Sequence, residues 1–171
     1  PPKSPDEVDY EATVNRWISG APETLNAVLQ SSKYEQEIVP MFTSEVMTFD
    51  HDLQPFANGE MVKEWRRNPI ADIVVLRDDA TWEDGTPVTA KDVLFSWRLQ
   101  TDPARQTIAG RDVAEKIDAI RAVPGGFTVS WKEPNLFFAE VRTHRPVPAH
   151  VLEPLLLDDK KNLRPLKDHP Y

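Results

Sequence analysis

The sequence predicts a mixed α/β chain of the α+β kind, with strands joined by hairpins and helices laid on them. Three observations carry that expectation. Phe127, Val129 and Trp131 alternate with Thr128, Ser130 and Lys132, the two-residue period of a half-exposed strand. Val93, Leu94, Trp97 and Leu99 follow the spacing of a helix face. Turn pairs such as Asp84-Gly85 and Gly125-Gly126 sit between such runs, as hairpins require.

Residues 1–8 are Pro-rich and polar and read as a disordered lead. Ala12 to Ile18 reads as a short strand, broken by Gly20-Ala21-Pro22. Glu35 to Phe49 places Ile38, Val39, Phe42, Val46 and Phe49 on one helical face, with Pro40 near its first turns. Asp50-His51-Asp52 ends that element as a turn. Ile70 to Arg77 is strand-like through Ile73, Val74, Val75 and Leu76. Asp78-Asp79 turns the chain into a short second strand at Ala80 and Trp82.

Thr89-Ala90-Lys91-Asp92 opens the next helix with a capping-box pattern, Asp92 standing where Glu or Gln is preferred. That helix stops before Pro103. Asp112 to Ala122 fits either a short helix or a strand. Residues 135–142 hold one or two helical turns, 145–148 a Pro-rich loop, and His150 to Leu157 a short helix.

Composition narrows the function classes. The chain has 171 residues, 20 Lys plus Arg and 28 Asp plus Glu, a formal net charge of -8. That balance disfavours a general phosphate-backbone binder, so no nucleic-acid partner is expected. The acidity is concentrated early, with 12 acidic and 4 basic side chains in residues 1–65. The absence of cysteine excludes disulfides and cysteine nucleophiles. His51, His144, His150 and His169 lack the helical spacing of a zinc site, so no metal and no cofactor are expected. Neither a Gly-x-Ser-x-Gly elbow nor a phosphate-binding loop is present. Nothing joins nucleophile, base and orienting group, so no catalytic residues and no enzyme activity are expected.

The segment from Leu76 to Trp97 is LRDDATWEDGTPVTAKDVLFSW. Its Leu76, Arg77, Trp82, Asp84, Gly85, Pro87, Val88, Thr89, Ala90, Asp92, Val93, Phe95 and Ser96 form one gap-free pattern. In that pattern it resembles the family 5 extracellular solute-binding proteins, the peptide, dipeptide and nickel receptors of ABC importers. Flanking stretches agree in order: Pro22-Glu23-Thr24-Leu25-Asn26, then Met61-Val62-Lys63-Glu64-Trp65, then Pro146-Val147-Pro148-Ala149-His150-Val151-Leu152. Ala27 departs from the family pattern, which has Pro there.

The resemblance implies part of a two-lobed periplasmic-binding-protein type II fold, with an antiparallel-rich sheet and packed helices. It implies a lead over 1–11, a portion of lobe one plus the small accessory lobe over 12–152, and a tail over 153–171 approaching a hinge. The family's Gly-Thr-Gly-Pro-Tyr hinge motif is missing, so the chain is expected to be an N-terminal fragment.

The same resemblance implies a non-catalytic receptor for an oligopeptide or peptide-like solute, handed on to ABC permease subunits in the membrane. The location it implies is the periplasm or the cell surface, with a lipoprotein anchor among the expectations. By position, Gln30, Ser31, Ser32, Lys33 and Tyr34 are the candidate solute contacts, with Arg105 a candidate for a carboxylate. Arg77, Trp82, Asp84, Gly85, Pro87, Thr89 and Asp92 are read as structural. Asp84 closes a turn, Gly85 takes positive φ, Thr89 caps a helix, and Trp82, Phe95 and Trp97 pack between strand and helix. The alternative reading is a truncated lobe that serves as an interaction or oligomerisation module. Apolar surface left exposed in that case leads to an expected homodimer.

Overall fold

A computed structural model describes residues 18–22, 33–41, 43–52, 54–102, 115–134 and 145–158. The element order is α1 (Lys33–Ile38), a 3₁₀ turn (Val39–Met41), β1 (Met47–Phe49), β2 (Pro55–Ala57), β3 (Val62–Asn68), β4 (Ala71–Leu76), α2 (Ala90–Thr101), β5 (Ile117–Val123), β6 (Gly126–Trp131) and α3 (Ala149–Leu156). Strands β1 and β2 form a two-stranded antiparallel ribbon. The main sheet has four antiparallel strands in the order β3-β4-β6-β5. The expected α+β character and antiparallel sheet are therefore present.

Strand β4 supplies the inward face through Asp72, Val74 and Leu76, all buried. Phe127, Val129 and Trp131 on β6 extend it, and Ile117 and Ile120 complete it on β5. Helix α2 lies on this face with Val93 buried and with Leu94 and Trp97 packed against the same cluster. The buried Asp72 is the polar exception. Its Oδ2 accepts a hydrogen bond from the Trp131 indole N–H at 3.0 Å. Burial pushes its carboxyl up, opposed by that hydrogen bond and by the Arg67 charge.

Two glycines are dictated by geometry. Gly125 sits at φ +73 in the two-residue link Pro124-Gly125 between β5 and β6. At Gly126 a Cβ would lie 1.9 Å from the Val74 carbonyl oxygen, so no side chain fits there. The hairpin turn thus falls one residue earlier than the Gly125-Gly126 reading. Gly126 begins β6.

Both edge strands of the main sheet carry an extra residue. The register slips between Val62 and Glu64 on β3 and between Ile117 and Ala119 on β5.

Several expectations are corrected. The helix expected over Glu35 to Phe49 ends at Ile38 and tightens into the 3₁₀ turn at Val39–Met41, where Pro40 supplies no backbone N–H. Val46 and Met47 are buried because they lead into a strand. Asp50-His51-Asp52 is accordingly the turn of the β1–β2 hairpin, with Asp50 Oδ1 accepting from the N–H groups of Asp52 and Gln54 at 2.9 and 2.8 Å. The short strand expected at Ala80 and Trp82 shrinks to one bridge between Thr81 and Pro87. Ile117–Val123 resolves to strand. The strand expected over Ala12 to Ile18, apart from Ile18, and the turns expected over 135–142 lie outside the described residues.

Candidate functional site

Helix α2 buries two faces. Ala90, Val93, Leu94 and Trp97 serve the sheet. Phe95 and Leu99 pack with Val147, Ala149, Leu156 and Leu157. Phe95 therefore faces α3 rather than the sheet. Trp82 and Trp97 stand as expected, against the main cluster.

The segment 145–158 runs over that second face and is tied to it by polar groups that the signature motif provides. Asp92 Oδ2 accepts from the Thr89 N–H at 2.8 Å and lies 3.1 Å from the Thr89 hydroxyl, which closes the start of α2. Asp92 Oδ1 accepts from the Ala149 N–H at 2.9 Å. Ser96 Oγ accepts from the Val147 N–H at 2.8 Å and donates to the Asp92 carbonyl at 2.9 Å. Asp92 and Ser96 are both buried.

At the rim, His150 Nε2 and Asp84 Oδ2 lie 2.7 Å apart, and Lys91 pairs with Glu153 at 2.5 Å. The Thr86 backbone N–H, donating to Asp84 Oδ1 at 2.9 Å, and then the His150 contact pull the Asp84 carboxyl down to about 2. Gly85 beside it sits at φ +83. Arg77 is a surface residue that forks onto Asp79 at 2.8 and 2.6 Å. Asp84, Gly85, Thr89 and Asp92 thus take part in turn and helix-start hydrogen bonds.

The start of the segment differs. The Arg145 side chain is 10% exposed, and its Nη2 bonds Glu45 Oε1 across 100 residues of sequence. Its Nε and Nη1 are enclosed and have no hydrogen-bond partner among the described residues. Glu45 is itself fixed, because the Asn58 side-chain amide donates to its carbonyl at 2.9 Å and the Asn58 N–H donates to the Val46 carbonyl at 3.0 Å. A buried donor left bare costs on the order of 1–3 kcal/mol. Sequence reasoning missed it. Arg145 is one basic residue in a Pro-rich loop, and nothing nearby in the sequence signals the distant Glu45.

Of the predicted contacts, Gln30, Ser31, Ser32 and Arg105 lie outside the described residues. Lys33 and Tyr34 open α1. The Lys33 ammonium stands 5.1 Å from the centre of the Tyr34 ring. That ring lies against Gly20, where a Cβ would approach it to 2.4 Å. One side of Tyr34 is therefore spent on the chain itself. His51 sits 3.2 Å from Asp52, and no metal-ligand cluster occurs among the described residues.

Side chains of α2 thus clasp the main chain of segment 145–158 beside an antiparallel sheet. The sequence profile of the bacterial extracellular solute-binding proteins, family 5, matches residues 71–170, and the chain belongs to that family. It is 31% identical over 98 residues to the periplasmic oligopeptide-binding protein OppA of Salmonella typhimurium, a match covering 46% of this chain and 18% of the relative. It is 32% identical over 80 residues to the periplasmic murein peptide-binding protein MppA of Escherichia coli, covering 43% and 14%.

Among solved structures, the unliganded open form of MppA superposes with a TM-score of 0.70 at 21% identity, over 80% of this chain and 30% of that one. Listeria monocytogenes OppA bound to peptide gives 0.70 at 20% identity, over 79% and 30%. These neighbours show that the fold is that of periplasmic peptide binders. The matched stretches span less than a fifth of those curated relatives.

Proposed function

We propose that this chain forms part of the receptor of an ABC importer, taking up a peptide or peptide-like solute without chemical change. Membership in family 5 is the observation that carries the reading. The names of its relatives, which bind oligopeptides and murein peptides, suggest the solute class. In this reading the protein works outside the cytoplasmic membrane and delivers to permease subunits. Residues 12–152 contribute to lobe one and the accessory lobe. Gln30, Ser31, Ser32, Lys33, Tyr34 and Arg105 border the solute.

Arg145 joins them, because its bare Nε and Nη1 suit the carbonyl and carboxylate oxygens of a peptide. Self-association through exposed apolar side chains such as Phe56 and Ile70 belongs to the same reading.

The test is isothermal titration of the 171-residue chain with a di-, tri- and pentapeptide series, followed by mass spectrometry of the recovered peptide. Saturable binding with intact peptide is expected. Hydrolysed peptide, or no heat from any member, overturns the reading.

A further inference from the structure

We propose that Asn58-Gly59 is a one-way modification site: closed to deamidation while the turn after β2 is shut, and unable to shut again once Asn58 has been converted. It is the one Asn-Gly pair in the chain. It lies in the link from β2 to β3, with Asn58 half-buried and Gly59 exposed. A glycine after asparagine leaves the next main-chain nitrogen unshielded, so that nitrogen can attack the side-chain amide carbon. The fold makes no demand for this glycine. Its φ lies outside the left-handed region, and a Cβ there would meet nothing within 4 Å.

The pair is kept inert by the use made of the Asn58 amide. Nδ2 donates to the Glu45 carbonyl at 2.9 Å, and Oδ1 accepts from the Glu60 N–H at 3.1 Å. The main chain is pinned as well. The Asn58 N–H donates to the Val46 carbonyl at 3.0 Å, and the Asn58 carbonyl accepts from the N–H groups of Met61 and Val62 at 3.1 and 2.8 Å. Ring closure makes the planar amide carbon tetrahedral and expels Nδ2. Bonds at both ends of the amide oppose it, so reaction waits for the turn to open.

The step needs only water. The Gly59 nitrogen bonds to the Asn58 side-chain carbon and gives up its proton, and Nδ2 leaves as ammonia. Water then opens the cyclic imide at either carbonyl. One product carries aspartate at this position. The other carries isoaspartate, whose main chain runs through the former side chain. Neither has a donor for the Glu45 carbonyl, and the aspartate sets a carboxylate oxygen against it. The turn therefore cannot close as before, and the opening is made permanent by chemistry. Glu45 also bonds Arg145, so the loss reaches the start of segment 145–158.

The test incubates the 171-residue chain in heavy-oxygen water at neutral pH, folded and in urea, and follows residues 58–59 by peptide mass spectrometry. Label should enter at least about tenfold more slowly in the folded chain, because only the open fraction reacts. Equal rates, or faster conversion in the folded chain, overturn the proposal. In urea, where folding plays no part, Gly59→Ala should take up label more slowly than wild type, and an equal rate overturns the assigned chemistry. Chains converted in urea carry an added negative charge and separate by ion exchange. Once urea is removed they should melt below the unconverted chains of the same sample, or stay unfolded. Equal melting temperatures overturn the irreversibility and the proposal with it.

Discussion

Asp92 and Arg145 are both buried charged side chains, and both hold the segment 145–158 to the rest of the molecule. They differ in completeness. Each oxygen of Asp92 has a donor, and its partners include the N–H groups of Thr89 and Ala149. Of the three guanidinium nitrogens of Arg145, only Nη2 has a hydrogen-bond partner among the described residues. A satisfied buried group fixes geometry and has nothing left to offer. An unsatisfied one costs stability in the folded chain, and that cost is recovered when an acceptor arrives. The contrast separates a buried charge that completes the fold from one that the fold leaves incomplete.

The largest effect should follow from breaking the satisfied end. Asp92→Ala strips acceptors from the Thr89 and Ala149 N–H groups and should cost about 3 kcal/mol. Urea unfolding checks it, and a loss below about 1 kcal/mol would mean that the clasp is replaceable by water. The opposite outcome is expected at the other end. Arg145→Met combined with Glu45→Gln removes both charges together, and stability should stay within about 1 kcal/mol of wild type or rise. Peptide titration of the same variant should show binding lost. Unchanged binding would break the comparison at its functional side.

The smallest effect concerns the rim. The Asp84 carboxyl titrates at about 2 when folded, against an ordinary 3.8. A depressed carboxylate contributes stability above its unfolded pKa and loses it as pH falls through its folded one. Thermal melts of the wild type should therefore decline faster than those of Asp84→Asn as pH falls from 3.8 to about 2. Parallel declines would show that the Thr86 N–H and the His150 contact to this carboxylate add nothing to stability.

The sequence made the architecture around α2 legible, because that architecture is local. Asp84-Gly85 acts within its own turn, and Thr89 and Asp92 act within one helical turn. The family resemblance extended that reading to the fold. Three strands, β1, β2 and β3, escaped it, and for β3 and β1 the physical reasons are visible. Strand β3, KEWRRN after Val62, faces water along most of its length, and its bulge interrupts the alternation that marks a strand. Strand β1 was absorbed into a helical stripe, because Val46 and Phe49 happen to fall at the spacing begun by Ile38 and Phe42. The Arg145 seat was illegible for a different reason. It is made by two residues 100 positions apart, each ordinary in its own surroundings.

The extra residues in β3 and β5 have a bearing on how copies of this molecule can meet. A free sheet edge is a template on which another chain can continue the hydrogen-bond ladder. Both free edges here are kinked, at Val62/Glu64 and at Ile117/Ala119. A second copy aligned on either edge would fall out of step at the kink, with an unpaired residue between its first and next bonds. The four-stranded sheet is in effect a closed sentence, ended at both margins. Along these two strands, contact between copies is thereby left to side chains rather than to a shared ladder.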